Sequence, residues 1–244
     1  MIGEAGQELT GRYRLAEPIG VEGRAMWTAL DEWSGRPVLL THVPMPDDPR
    51  LAMETLRMVG REVERAAGLD NPHLGRVLGA VTDDGTTLWV ASEIRSGART
   101  LREVLEAGVG AGQVGGWGHD IADGLAALHA HGLVHRDVRP GLVLIHDDGS
   151  AALAAVAATA DLSTTDRDDP VADVHALVAL IRAAVPPIET GSATSPEPDG
   201  TAALLAVLDR PDAACSADRL RDDLATTMAR QPLSPHSWWD RSST

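Results

Sequence analysis

Short apolar runs punctuated by turn residues open the chain. Residues 13–19, 26–31 and 38–43 are separated by Gly, Glu, Ser and Asp, and they predict three strands. A helix is predicted from about residue 51 to 67, where Met53, Leu56, Val59 and Val63 recur at three- and four-residue spacing. Asn71-Pro72 stops it. Two further strand-like runs, 76–82 and 88–93, surround the turn Asp83-Asp84-Gly85.

After Gly97 the pattern changes to helix. Residues 101–107 form a short one, and 114–131 a longer one with Ile121, Leu125 and Leu128 on one face. Two small strands, 143–145 and 151–155, flank the turn Asp147-Asp148-Gly149. Residues 172–184 and 217–228 are helical, with another short helix around Leu204 and a Pro/Ser/Thr/Gly-rich linker at 186–200. Strands with one helix first and helices afterwards predict a small α+β lobe followed by a larger helical lobe. No internal repeat is present.

Composition narrows the function classes. The 244 residues suffice for a proper core, but aromatics are only 3% and Phe is absent, so Ala, Leu and Val carry most of the packing. The net charge of -15 repels phosphate backbones and anionic lipid, which argues against nucleic-acid and membrane-surface partners. The first ten residues carry an acid and no apolar run, so no secretory signal is read there. No stretch approaches the roughly 18 apolar residues of a membrane span, and a cytoplasmic location without membrane insertion is expected. The single cysteine, Cys215, cannot form an internal disulfide and is expected as a small buried or half-buried residue. All 21 basic residues are Arg. Any chemistry that needs a lysine amine is therefore excluded.

The most specific segment is HGLVHRDVRPGLVLIHDDGSAALAAVA, residues 131–157. It resembles the catalytic loop and following metal-binding strand of bacterial Ser/Thr protein kinases: His135-Arg136-Asp137, Arg139-Pro140, Val143-Leu144 and Asp148-Gly149 fall in register. GRYRLAEPIG resembles the lead into a Gly-rich loop, REVERAAGLDNPHLGRVLG the third helix of such kinases with its exit, and LWVASEI their hinge strand. ADVHALVALI resembles the helix whose aspartate, here Asp173, anchors the catalytic-loop backbone. The resemblance implies a bilobal, kinase-like α+β fold with an antiparallel sheet and one helix in the N-lobe, a mainly helical C-lobe and a shortened activation segment. Its expected divisions are an N-terminal extension (1–10), an N-lobe (11–95), a C-lobe (96–230) and a tail (231–244).

Phosphoryl transfer consists mostly of positioning and charge neutralisation, so each part can be checked against this sequence. Thr41 stands where the resemblance places the phosphate-binding lysine, and a hydroxyl supplies no positive charge. Glu62, at the position of that lysine's partner, is left as a solvated carboxylate or pairs with an arginine. The Gly-rich loop is one residue short and keeps only Gly20 and Gly23, with Glu22 and Arg24 among the larger residues where backbone must approach phosphate. Leu142 replaces the catalytic-loop Asn, and Ala155 the metal-binding aspartate; neither offers an oxygen to a hard cation. No metal and no cofactor are expected, with ATP bound without metal as the alternative.

Asp137 occupies the catalytic-base position and Arg139 the basic position after it, yet the segment also has an architectural role, with His135 packed in the lobe core and its backbone anchored by Asp173. Arg136 would engage an activation-segment phosphate or, here, a nearby acid. The stretch from Ala155 to Asp173 is too short for a peptide-binding platform.

The resemblance therefore implies a degenerate kinase, a pseudokinase acting as a regulatory or scaffolding module. The alternative is a weak or nucleotide-transferring enzyme using Asp137. Thr41 and its strand pair also resemble the pseudokinase domains of actinobacterial lipid-flippase-like cell-wall proteins, which implies a protein partner such as a Ser/Thr kinase or an FHA-type phosphothreonine reader. Thr164-Thr165 and residues 192–195 read as solvated loop or phosphoacceptors, and Trp238-Trp239 as a cap on the helical lobe or a docking peptide.

Overall fold

The computed structural model describes residues 2–19, 25–83, 85, 87–159, 169–185, 200–210 and 215–229. The N-terminal half builds a six-stranded antiparallel sheet from β1 (Glu8–Leu9), β2 (Tyr13–Ile19), β3 (Met26–Asp31), β4 (Arg36–Val43), β5 (Val77–Asp83) and β6 (Thr87–Glu93), in the order β1-β2-β3-β4-β6-β5. One helix, α1 (Pro49–Ala66), packs beside β5. The second half carries α2 (Leu101–Glu106), α3 (Ala111–Ala130), α4 (Pro170–Ala184), α5 (Gly200–Leu208) and α6 (Ala217–Ala229). A small sheet of β7 (Arg99–Thr100), β8 (Val143–Ile145) and β9 (Ala151–Leu153) lies among them. This is the bilobal α+β architecture that the resemblance implied.

The apolar run in β4 does not alternate because both faces of the sheet are covered. Val38 and Leu40 join Tyr13, Leu15, Trp27 and Trp89 on one face, while Leu39 and Val43 join the larger core that continues through α1 into the helical lobe. The chain's own N-terminus helps cover the first face. Trp27 Nε1 donates to Ile2 O at 2.9 Å, Gly6 N donates to Leu15 O at 2.8 Å, and β1 pairs with β2. Gly3 (φ +91) lies so close to the sheet that a Cβ there would stand 2.7 Å from Leu15 Cδ1.

Element ends follow their caps. α1 begins two residues earlier than its apolar spacing predicts, because Asp48 accepts from the N–H groups of Arg50 and Leu51 and Pro49 is pre-set for the first turn. Its inner face also differs from the expected one: Val59 and Val63 are buried, Met53 is 48% exposed, and the carboxylate of Glu62 turns inward. α4 likewise starts early, at Pro170, where Asp169 accepts from Val171 N. β9 stops at Leu153, short of residue 155, because Ala154 N turns to Leu142 O at 2.8 Å and Ala155 adopts a left-handed φ of 61°. The two-residue strands β1 and β7 have no pattern of their own and are defined by their partners.

The lobes meet along more than the β6–β7 connection. Gly75 N donates to Leu153 O at 2.8 Å and Leu153 N to His73 O at 2.9 Å, tying the exit of α1 to β9. Cys215, expected buried or half-buried, is exposed, since the inward position at the start of α6 goes to Ala217. Among the described residues no helix is long and apolar enough to cross a membrane.

Candidate functional site

The loop after α3 takes its shape from one buried carboxylate. Asp173, in the first turn of α4, accepts from His135 N and Arg136 N at 2.7 Å each, and His129 Nε2 lies 3.0 Å from its Oδ2. Burial pushes this carboxyl up; the His129 hydrogen bond, the His135 charge and the two N–H donors outweigh that and hold it below the usual carboxylate range. His135 is 1% exposed and its Nε2 pairs with Ala154 O at 2.8 Å. Thr159 Oγ1 donates to the carbonyl of His135. The loop is therefore bonded to α4, whose Asp173 also meets His129 of α3, and to the chain that leaves β9.

Arg136 pays a backbone cost at this point, with a left-handed φ of 67° that non-glycine residues seldom adopt. Its guanidinium turns towards the N-lobe and meets Glu62 in a bidentate pair, Nη2 to Oε1 at 2.7 Å and Nη1 to Oε2 at 3.0 Å. The side chains are 10% and 11% exposed. Nη1 also donates to Val134 O at 3.1 Å. Of the two readings open for Glu62, solvated or arginine-paired, the geometry is the second. Both residues stood out in the sequence, but their mutual contact did not. The sequence leaves Glu62 open to an arginine and Arg136 open to a nearby acid, and those two charges of opposite sign were the available signal.

Asp137 and Arg139 pair with each other, Nε to Oδ1 at 3.0 Å, both 29% exposed. Thr41 is 1% exposed, its neighbours across the sheet are Met26 and Val90, and its hydroxyl has no hydrogen-bond partner. Leu142 and Ala155 are 1% and 2% exposed and belong to the main apolar core. Ala157 repeats the left-handed φ of Ala155, at 61°. Among the described residues no group of three or more His, Cys, Asp or Glu is placed to hold a metal ion. Gly20, Gly23, Glu22, Arg24, Thr164-Thr165, residues 192–195 and Trp238-Trp239 lie outside the described residues.

A cavity of about 650 Å³ opens elsewhere, behind the β6–β7 connection, lined by Arg36, Arg76, Arg95, Leu144 and His146 among others. None of Thr41, Glu62, Asp137, Leu142 or Ala155 touches it. Burial, with Arg95 adding to it, lowers the affinity of the His146 imidazole for a proton, against the opposing charges of Asp148 and Asp147.

The sheet-plus-helix lobe, the helical lobe and an HRD loop anchored by an α4 aspartate define a protein of the kinase type. Residues 48–176, more than half of the chain, match the protein tyrosine and serine/threonine kinase family, and the chain belongs to that family. The probable serine/threonine-protein kinase pknA2 of Bifidobacterium longum is 30% identical over 180 residues, which is 66% of this chain and 22% of that protein. The serine/threonine-protein kinase PkaB of Streptomyces coelicolor is 37% identical over 115 residues, 43% of this chain and 27% of that protein. The chain thus spans less than a third of the length of either. In fold it is similar to the Mycobacterium tuberculosis PknI kinase domain, with a TM-score of 0.67 at 24% identity over 93% of this chain and 100% of that one.

Proposed function

We propose that this chain is a catalytically inactive kinase-like domain, a pseudokinase that acts by binding a protein. The observation that carries this is the burial of Leu142 and Ala155 at 1% and 2% exposure inside the apolar core. The two positions from which the family ligates metal are not merely without ligands; they are packing residues. Thr41 adds no charge, and Glu62 is already spent on Arg136. These residues do not fit a nucleotide–metal complex. Removing one pre-organised electrostatic stabiliser typically costs about 2.7–4 kcal/mol, or ~10²–10³ in rate. Such losses need not add, yet even two bring a kinase turning over at roughly 1–100 per second to negligible activity.

The rival reading, a weak or nucleotide-transferring enzyme, draws on Asp137, which is partly exposed and forms an ion pair with Arg139 at 3.0 Å. Thermal-shift titration with ATP, with and without Mg²⁺ or Mn²⁺, separates the two. The expected result is no metal-dependent shift. Saturable, metal-requiring stabilisation with turnover that Asp137→Ala abolishes would establish the enzyme instead. For the partner we propose a Ser/Thr kinase or an FHA-type phosphothreonine reader, the class implied by the resemblance of Thr41 and its strand to flippase-linked pseudokinase domains.

A further inference from the structure

We propose that the Glu62–Arg136 ion pair is a built-in latch, holding α1 against the HRD loop from within the chain and without any ligand. The proposal rests on the pseudokinase reading and adds how such a module keeps its shape. Kinases of this family spend these two charges separately, on the phosphate-binding lysine and on an activation-segment phosphate. Here the lysine position is Thr41 and the segment is short, and the two charges close on each other across 74 residues of sequence.

Both ends of the contact are also held by bonds or packing outside it. Arg136 is fixed through its own N–H to Asp173 Oδ1 and through Nη1 to Val134 O. Glu62 lies in the last turns of an 18-residue helix whose neighbouring positions Val59, Val63 and Ala66 are buried in the core. Little side-chain freedom remains to be lost, and the planar guanidinium matches the carboxylate with two bonds. At 10% and 11% exposure the pair is weakly screened by salt. Removing one partner would strand the other charge in a poorly hydrated site, which is more disruptive than removing both. Thr41 does not compete for Glu62, since its hydroxyl has no partner at all.

The strand contact between residues 73–75 and Leu153 ties down only the chain leaving α1. Among the described residues, the ion pair fastens the helix itself to the loop with two polar bonds. Loss of the pair should therefore release α1 selectively, as a local opening and not as global unfolding.

Amide hydrogen exchange of the full chain, without nucleotide, tests this. Glu62→Gln and Arg136→Gln should each speed exchange in α1 by about tenfold or more while α3 keeps its protection. The double variant should be no worse than either single one, because it leaves no stranded charge. Unchanged α1 protection in both single variants would overturn the latch, and so would equal acceleration in α1 and α3, which would reduce the pair to a general stabiliser. Should Glu62→Gln fail to fold, Glu62→Asp keeps the charge but shortens the reach, and the same comparison applies. The ATP titration judges the inactive reading and the exchange experiment judges the latch, so their failures are distinguishable.

Discussion

Asp31 shows how a single residue ties together a turn that its neighbours in sequence do not explain. It is 2% exposed, accepts two bonds from Arg12 at 2.9 Å and further ones from Ser34 Oγ and Trp33 N. Arg12 in turn stacks over Tyr13 and Trp33 at 4.8 Å. The Arg12 hydrogen bonds lead the effects that hold the Asp31 carboxyl well below the usual carboxylate range, against the opposing effect of burial. A depressed folded-state pKa contributes stability that is full above the unfolded value near 4 and lost as pH falls through the folded value. Asp173 has the same sign. Asp31→Asn should therefore lower the thermal midpoint at neutral pH and flatten its decline between about pH 5 and pH 2. Parallel pH profiles for variant and wild type would show that this carboxylate is not a source of acid sensitivity. A charge pair between a turn and a strand end has no spacing signature, which is why Asp31 and Arg12 were silent in the sequence. His135, Arg136, Asp137 and Asp173 were legible because they fall in a family motif.

Helix α3 was legible as an element from Ile121, Leu125 and Leu128, yet its tightest contacts are made by glycines. A Cβ at Gly118 would lie 2.6 Å from Ile181 Cδ1 on α4, and one at Gly124 would lie 2.7 Å from the carbonyl oxygen of His73. Helix propensity by itself favours Ala over Gly by about 1 kcal/mol, so contact decides the sign at each site. The end of an isoleucine side chain can rotate away; a backbone carbonyl cannot do so without moving the 71–75 loop. Gly118→Ala is expected to stay within about 1 kcal/mol of wild type, and Gly124→Ala to lose about 1–3 kcal/mol in urea unfolding. The reverse order would mean that the loop yields more readily than the helix pair. Helix periodicity identifies which face is buried. It carries nothing about how closely the neighbouring backbone approaches.

At the scale of the whole molecule, two apolar cores share one sheet, and residues 2–9 help close the second. Leu9 is fully buried, and Trp27 gives its indole N–H to Ile2 O. Deleting residues 2–9 should lower the thermal midpoint by about 5 °C or more, because it opens Leu15 and Trp27 to water and removes a strand. An unchanged midpoint would show that this cover is dispensable. At the same scale, Leu142 and Ala155 lie inside the main apolar core, which runs from the first lobe into the helical one.

By itself the sequence determined the two-lobed division, the strand and helix order, the HRD motif and the residue chemistry of Thr41, Leu142 and Ala155 at the positions that the resemblance singles out. These are local properties, carried by periodicity, turn residues and residue chemistry at motif positions. Only the tertiary structure decided that Glu62 and Arg136 satisfy each other, that Asp173 also engages His129, and that residues 2–9 lie along the first lobe's sheet with Leu9 in its core. The first two contacts join residues 74 and 44 positions apart, and the indole of Trp27 reaches back 25 positions to Ile2. Their partners are set by how the chain folds back on itself, and charge, unlike hydrophobic periodicity, leaves no repeat along the chain to announce where its partner will be.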